Sequence, residues 1–446
     1  MTPGRRWLVA ALVAGAIVRV AALPLPGTGD VAIWKVWAYH AARDVTGMYG
    51  VGGSPPERRE LAWRGDRMTV DYPPVSLYEL RVAGRAYAWW DPAFGDTRAL
   101  NVFVKLPGLA AEVLLVLVLL VWARRELGDE AAAWAAVAFW LNPAVLLDGS
   151  VLGYLDAQMA VPLVLAVMAA ARGRGAATGA LMALAILTKA QAVFALPAVA
   201  ALLWWPAPAD RLRRLGAATG AGLATSVLIV LPFLARGAGP NLAQALGRLA
   251  THDALSAQAA NLWWIVTWLL RAAAVAGEWG WGRALTEPVR VLGITRAMEI
   301  GYPNARVVGL VLVAGAIGWA CWRARRAASP ADALALAGFS MAAYATLAAQ
   351  VHENHLYAAV PLLAVAAGLD ARYRPWFVGT SLVVALNLSL FYGLGRDVPF
   401  ADARGWTGID ATVLLSFASV AVLALGVRCW VAGGGGGGGG GGRLQN

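Results

Sequence analysis

The four histidines of the chain (His40, His252, His352 and His355) and the carboxylates Asp30, Asp71, Asp148, Asp156 and Glu353 stand beside short polar motifs between long apolar runs. Ionisable groups gathered next to nearly charge-free segments point to a site, although any one of them taken singly also reads as a solvated loop residue. Asp71 precedes Tyr72-Pro73-Pro74, and two prolines hold an extended, rigid backbone. That context suits a rigidly held, ligand-binding carboxylate, or one that forms a turn. Asp156 and Gln158 open an apolar run, where ligand contacts and helix capping are both natural roles. Lys189 lies between two apolar runs; a lysine at the centre of a spanning helix costs roughly 2.5–3.5 kcal/mol. An anionic partner, or snorkelling to the interface, would offset that cost. His352 and Glu353 are adjacent, and His355 follows three residues on. An imidazole titrates near 6.5, so a neighbouring anion would keep it charged. Spacing of three also occurs in metal sites, but no metal or other cofactor is expected here.

These groups have to be positioned by membrane helices. The chain is 59% hydrophobic and 14% charged, with a mean hydropathy of +0.60. One water-soluble core cannot hide that much apolar surface. Twelve apolar runs reach or approach the length that crosses a bilayer: 7–25, 102–122, 131–147, 157–171, 175–189, 191–205, 215–234, 304–322, 332–350, 356–370, 376–394 and 409–427. The expected fold is therefore an all-α polytopic bundle of about 12 transmembrane helices, a single domain over 1–432. A glycine-rich disordered tail, 433–446, would follow it.

The net charge of +11 is explained by orientation rather than nucleic acid, because basic residues in short loops stay cytoplasmic. Arg5/Arg6, Arg124/Arg125, Arg172/Arg174, Arg211/Arg213/Arg214, Arg323/Arg325/Arg326, Arg372/Arg374 and Arg428 all fall where alternation predicts an inside loop. Both termini are then cytoplasmic, in a bacterial inner membrane. A cleaved signal over 5–25 competes with the first span, but Arg19 interrupts its apolar region. Two long segments, 26–101 and 235–303, fall outside, and long loops carry function. Residues 30–45 read as an amphipathic helix with Asp30 at its N-cap position. Residues 261–275 would lie at the interface or dip in, with Trp263, Trp264, Trp268, Trp279 and Trp281 forming an aromatic belt. Cys321 and Cys429 lack metal-ligand spacing and offer no disulfide framework.

Taken in order, the motifs resemble the GT-C superfamily of polyprenyl-phosphate-sugar-dependent glycosyltransferases. They are Gly29-Asp30 with Trp34 and Trp37; Asp71-Tyr72-Pro73-Pro74; Asn142-Pro143 followed by Gly153-Tyr154-Leu155-Asp156-Ala157-Gln158; Lys189-Ala190-Gln191; the Leu255–Trp263 stretch with Asn261; and Val351-His352-Glu353-Asn354. The bacterial mannosyltransferase-like proteins of family 87 type are the nearest in pattern, and the endoplasmic-reticulum glucosyltransferases of N-glycan assembly are also similar. The chain departs from the pattern at Asn354, where many members have arginine, at Ala190, where they have proline, and at Leu152-Gly153-Tyr154, where they have Trp-Gly-Gln.

The resemblance implies an inverting transfer of a hexose, with mannose as a guess, from a polyprenyl phosphate to an extracytoplasmic glycan, lipid or protein acceptor. It implies Asp30 as the general base, a role that suits a carboxylate ionised near neutral pH. Asp71, Asp156, Gln158, Lys189, Gln191, Asn261, His352, Glu353 and His355 would bind substrate, with the donor phosphate between Lys189 and His352. The alternatives are a transporter or flippase of lipid-linked sugars, for which no internal repeat is evident, and a glycan polymerase or ligase using a diphosphate donor.

Overall fold

The computed structural model describes residues 3–51, 59–123, 128–205, 208–248, 251–395, 404–405 and 408–432. The glycine-rich stretch 433–446 lies outside the described residues. The fold is all-α apart from one two-stranded hairpin, β1 (Leu61–Trp63) and β2 (Asp66–Met68), paired antiparallel. Each apolar run of the sequence coincides with helix. In chain order these are α1 (Pro3–Ala22), then α2 (Gly29–Asp44) and α3 (Pro74–Trp90) in the first long loop, then α4 (Arg98–Val118), continued by a π-helical turn, and α5 (Asp129–Trp140). A bend of 42° separates α5 from α6 (Pro143–Leu152), most of which is π-helical. There follow α7 (Asp156–Ala171), α8 (Gly175–Thr188), α9 (Leu196–Trp204), α10 (Arg211–Leu234), α11 (Gly239–Arg248) and α12 (Leu262–Trp279). The last five are α13 (Ala305–Ala324), α14 (Pro330–Leu347), α15 (Ala359–Leu369), α16 (Arg374–Tyr392) and α17 (Ala411–Ala432).

Five of the described helices are long and apolar enough to cross a membrane, and the bent α5–α6 pair gives a sixth candidate. Four more apolar stretches run only 10–17 residues, short of the ~20 that a straight span needs. The expected count of twelve therefore does not follow from helix length. The breaks have identifiable causes: the chain turns extended at Lys189 between α8 and a 3-10 segment (Ala190–Ala195), and it bends at Asn142-Pro143.

Burial follows composition. α14 and α15 are apolar all round and lie in the main core with almost every side chain covered, as expected for helices at the centre of a bundle. α10 is comparably apolar but buries only Phe233, so its outer surface meets lipid. Without a hydrophobic drive between helices in lipid, close backbone approach holds such a helix. Small residues supply it here: a Cβ on Gly179 of α8 would come within 1.8 Å of the Ala218 carbonyl oxygen on α10. Gly179→Ala should therefore destabilise the protein by ~1–3 kcal/mol. Gly216→Ala, also in α10 and with open space around its Cβ, should be neutral or stabilising by about 0.5–1 kcal/mol. Thermal melts of the two variants in one detergent decide the point, and equal shifts would refute the contact.

α1 is anchored by charge. Arg19, fully buried, donates Nε to Glu112 Oε2 at 2.6 Å and Nη1 to the Trp140 carbonyl at 2.7 Å, with its guanidinium 3.6 Å from the Trp140 ring centre. The first long loop forms a second core in which Trp34, Trp37, Leu77, Leu80 and Tyr87 pack with the hairpin and with residues of α4, α10 and α11. In α12, Trp263 and Trp264 do not form an interfacial belt. Both are buried and donate their indole N–H groups to Leu347 O and Thr412 Oγ1, whereas Trp279 and Trp281 are exposed.

Candidate active site

Local structure brings the separated motifs into one place. α6 ends at Gly153 with φ +79°, a left-handed conformation that glycine adopts without cost. The turn it makes receives the start of α2: Thr28 N donates to Leu152 O at 3.1 Å, and Trp34 Nε1 donates to Gly153 O at 2.9 Å. Lys105, the buried lysine of α4, fastens the same seam by donating to the carbonyls of Leu25, Ser150 and Val151. Asp30 therefore sits one short turn from the Gly153–Asp156 motif. The N-cap of α2 is Thr28, whose hydroxyl accepts from Asp30 N at 3.3 Å. Asp30 does not occupy the capping position expected from the sequence, so its carboxylate is not committed to the helix start.

The Asp71 motif arrives from the other side. Pro74 is the first residue of α3, and Ser76 Oγ donates to Thr188 O at 2.6 Å, joining α3 to the end of α8. The Tyr72 ring packs edge-on to Trp34 at 5.0 Å and Trp37 at 5.7 Å, with Lys189 Nζ 6.0 Å from its centre.

Asp156 is the hub. It is fully buried and begins α7 without capping it. Lys189 Nζ reaches its two oxygens at 2.8 and 2.9 Å, Gln191 Nε2 donates at 3.0 Å, and Asn354 Nδ2 donates at 2.8 Å. Three motifs far apart in sequence thus meet on one carboxylate. Lys189 lies at a helix break, not at mid-helix, and its charge is compensated by Asp156. Gln158, one turn along α7, is buried with no hydrogen-bond partner for its amide among the described residues.

Glu353 accepts from Tyr154 Oη at 2.5 Å, and Asn387 Nδ2 donates to its carbonyl at 3.0 Å. His352 keeps 46% of its side chain open, with Nδ1 3.8 Å from Glu353 Oε2 and the His252 and His355 rings at 5.3 and 5.5 Å. His355 shares a 2.9 Å hydrogen bond with Tyr344 Oη. The second long loop is stitched to this motif through Ala257 N→Val351 O and Gln350 N→Leu255 O. Within that loop, Asn261 caps α12 by accepting from Trp263 N and Trp264 N, and its amide donates to Ala345 O. His40 lies apart, beside Ala62 O of the hairpin.

The electrostatics are set by crowded carboxylates. Burial first, then Glu353, with smaller contributions from Asp71 and Asp156, pushes Asp30 up to about 7, while Lys189 opposes the shift. Glu353 is raised by burial. His352 is lowered by desolvation and by the neighbouring His252 and Lys189. Tyr154, Asn387 and Tyr344 escaped the sequence reading as site residues. Tyr154 and Asn354 stood inside quoted motifs, and Asn387 is a polar residue in an apolar run, a signal that could have been followed. Among the described residues, no group of three or more His, Cys, Asp or Glu side chains is arranged to hold a metal ion.

No family model and no curated protein matches the chain. Solved structures to which the chain shows similarity include ArnT from Cupriavidus metallidurans in the apo state, at 15% identity and a TM-score of 0.49, covering 96% of this chain and 76% of that one. The Archaeoglobus fulgidus oligosaccharyltransferase in the apo form follows at 14% identity and a TM-score of 0.44, covering 95% of this chain and 56% of that one. The archaeal oligosaccharyltransferase AglB from Archaeoglobus fulgidus, in complex with an inhibitory peptide and a dolichol-phosphate, has 14% identity and a TM-score of 0.39, covering 96% and 56%.

Proposed function

We propose that the chain is an inverting glycosyltransferase that moves a hexose from a polyprenyl-phosphate donor to an acceptor outside the cytoplasmic membrane. The observation that carries this reading is the docking of α2 on the Gly153 turn. It sets the uncommitted Asp30 beside a buried, hydrogen-bonded Asp156–Lys189 pair and beside Glu353. A base whose pKa lies near the working pH is well matched to take a proton from an acceptor hydroxyl. The acceptor oxygen then bonds to the anomeric carbon from the face opposite the phosphate. The bond from that carbon to the phosphate oxygen breaks, and its electron pair leaves with the phosphate. Lys189 and His352 are the cationic or hydrogen-bonding groups for that growing charge. Asp71, Gln158, Gln191 and His355 contact the sugar or acceptor, and Glu353 tunes Asp30.

Purified protein in nanodiscs, given a panel of synthetic polyprenyl-phosphate sugars, should release free sugar or transfer it. No turnover with any donor, alongside no donor binding, would sink the reading.

The pH dependence tests the base. Asp30 must be deprotonated to act, so turnover should fall as pH drops through about 7. Glu353→Gln removes a negative neighbour that raises the Asp30 pKa, so the acidic limb should move to lower pH. An unmoved limb would separate Glu353 from the base.

Orientation follows the arginine alternation, with the active site outside. In a background with Cys321 and Cys429 replaced by alanine, cysteine at the exposed hairpin position Asp66 should react with an impermeant thiol reagent in spheroplasts. Cysteine at the exposed Ala209 should not. The reverse labelling would turn the map over.

A further inference from the structure

A shallow polar recess opens at the surface between the first long loop and α11, and its walls include Tyr49, Arg59, Thr69, Asn241, Gln244 and Arg248. Two guanidiniums from different segments face one cavity there. Each is oriented by a backbone carbonyl: Arg59 Nη1 donates to Gly47 O, and Arg248 Nη2 donates to Val70 O at 3.0 Å. Asp44, which with Arg59 flanks Gly47, is already engaged by Arg236 at 2.9 Å. The recess abuts the candidate active site through shared backbone. Val70 immediately precedes Asp71, and Tyr49 Oη, on the recess wall, donates to Tyr72 O at 2.6 Å. The Tyr72 ring in turn packs edge-on to Trp34, four residues from Asp30.

We propose that this recess is an acceptor subsite that binds an anionic group, a phosphate or a carboxylate, carried by the acceptor near the hydroxyl to be glycosylated. The proposal rests on the glycosyltransferase reading. Arginine suits both anions because its planar fork of N–H donors matches two oxygens at once. The flanking amides of Asn241 and Gln244 and the Thr69 hydroxyl add neutral polar groups for ring hydroxyls of an attached sugar. An anion held one wall away from Asp30 would fix the acceptor's register before proton transfer.

The test measures probe binding to the full-length protein in nanodiscs by calorimetry, at low and at high salt. The probes are sn-glycerol 1-phosphate, methyl β-glucuronide and neutral methyl β-glucoside. The wild type should bind at least one anionic probe, more weakly at high salt, and the neutral probe not measurably. Whichever anion binds identifies phosphate or carboxylate as the partner. Arg59→Gln should weaken that binding roughly ten- to a hundredfold, and Arg59→Lys should restore part of it. The conservative variant guards against a merely structural role, as do matching melts of all three proteins. Arg248→Gln should weaken it similarly. Equal binding of the anions by wild type and Arg59→Gln, or no anion binding by a protein that does transfer sugar, overturns the subsite. Arg59-dependent anion binding by a protein that transfers no sugar would instead overturn the reaction and leave an anion site.

Discussion

Replacing Asp30 by asparagine should lower sugar-transfer turnover by roughly 10²–10⁴-fold, the range for loss of a general base, while donor binding stays near wild type. The substitution nearly preserves size but cannot accept a proton at neutral pH. Fold is not at stake in this comparison. The α2 cap belongs to Thr28, which accepts from the backbone N of residue 30, so the helix start survives the change. The Asp30 carboxylate also makes no hydrogen bond among the described residues. Single-turnover rates with a fixed acceptor, measured beside donor affinity, separate chemistry from binding. Turnover within a fewfold of wild type would remove Asp30 from the reaction and leave the base elsewhere among these carboxylates.

Lys189→Met should be the most damaging single change to folding, and the reason comes from the structure. Lys189 is the cation opposite a carboxylate that is completely buried. Removing one partner of a buried pair leaves an uncompensated charge and costs about 3–5 kcal/mol. The sequence, by contrast, suggested a phosphate partner for Lys189. The informative variant is the double change Asp156→Asn with Lys189→Met, which neutralises both sides and leaves one amide oxygen to accept from Gln191 or Asn354. It should recover most of the lost thermal stability. It should not recover turnover if Lys189 also steadies the leaving phosphate, since a charge-assisted hydrogen bond lost in the transition state costs roughly ten- to a hundredfold or more. Adding His352→Gln to the double variant should then cost less than it does in the wild type, because two groups gripping one phosphate are not additive. A double variant that folds and turns over like wild type would make Lys189 the counter-ion of Asp156 and nothing more.

How far the sequence reached can be judged residue by residue. Composition and hydropathy determined that this is a helical membrane protein, because 59% hydrophobic residues have nowhere to go but lipid and the contacts between spans. Amphipathic spacing located α2 to within a residue, since a 3.6-residue period is a local property. Motif order singled out Asp30, Asp71, Asp156, Lys189 and Glu353, and the last four are the charged groups that shift Asp30.

Only the tertiary structure decided who partners whom. That Thr28 rather than Asp30 caps α2 depends on φ and ψ at one residue. That Lys189 meets Asp156, 33 positions away, and Asn354 meets it across 198, depends on a helix break and on a loop folding back over the bundle. The span count was likewise beyond hydropathy. A window average sees apolar residues but not the extended backbone at Lys189 or the 42° bend before α6. Polarity and periodicity are written along the chain, whereas pairing of buried charges is settled by which backbones approach closely enough to exclude water from between them.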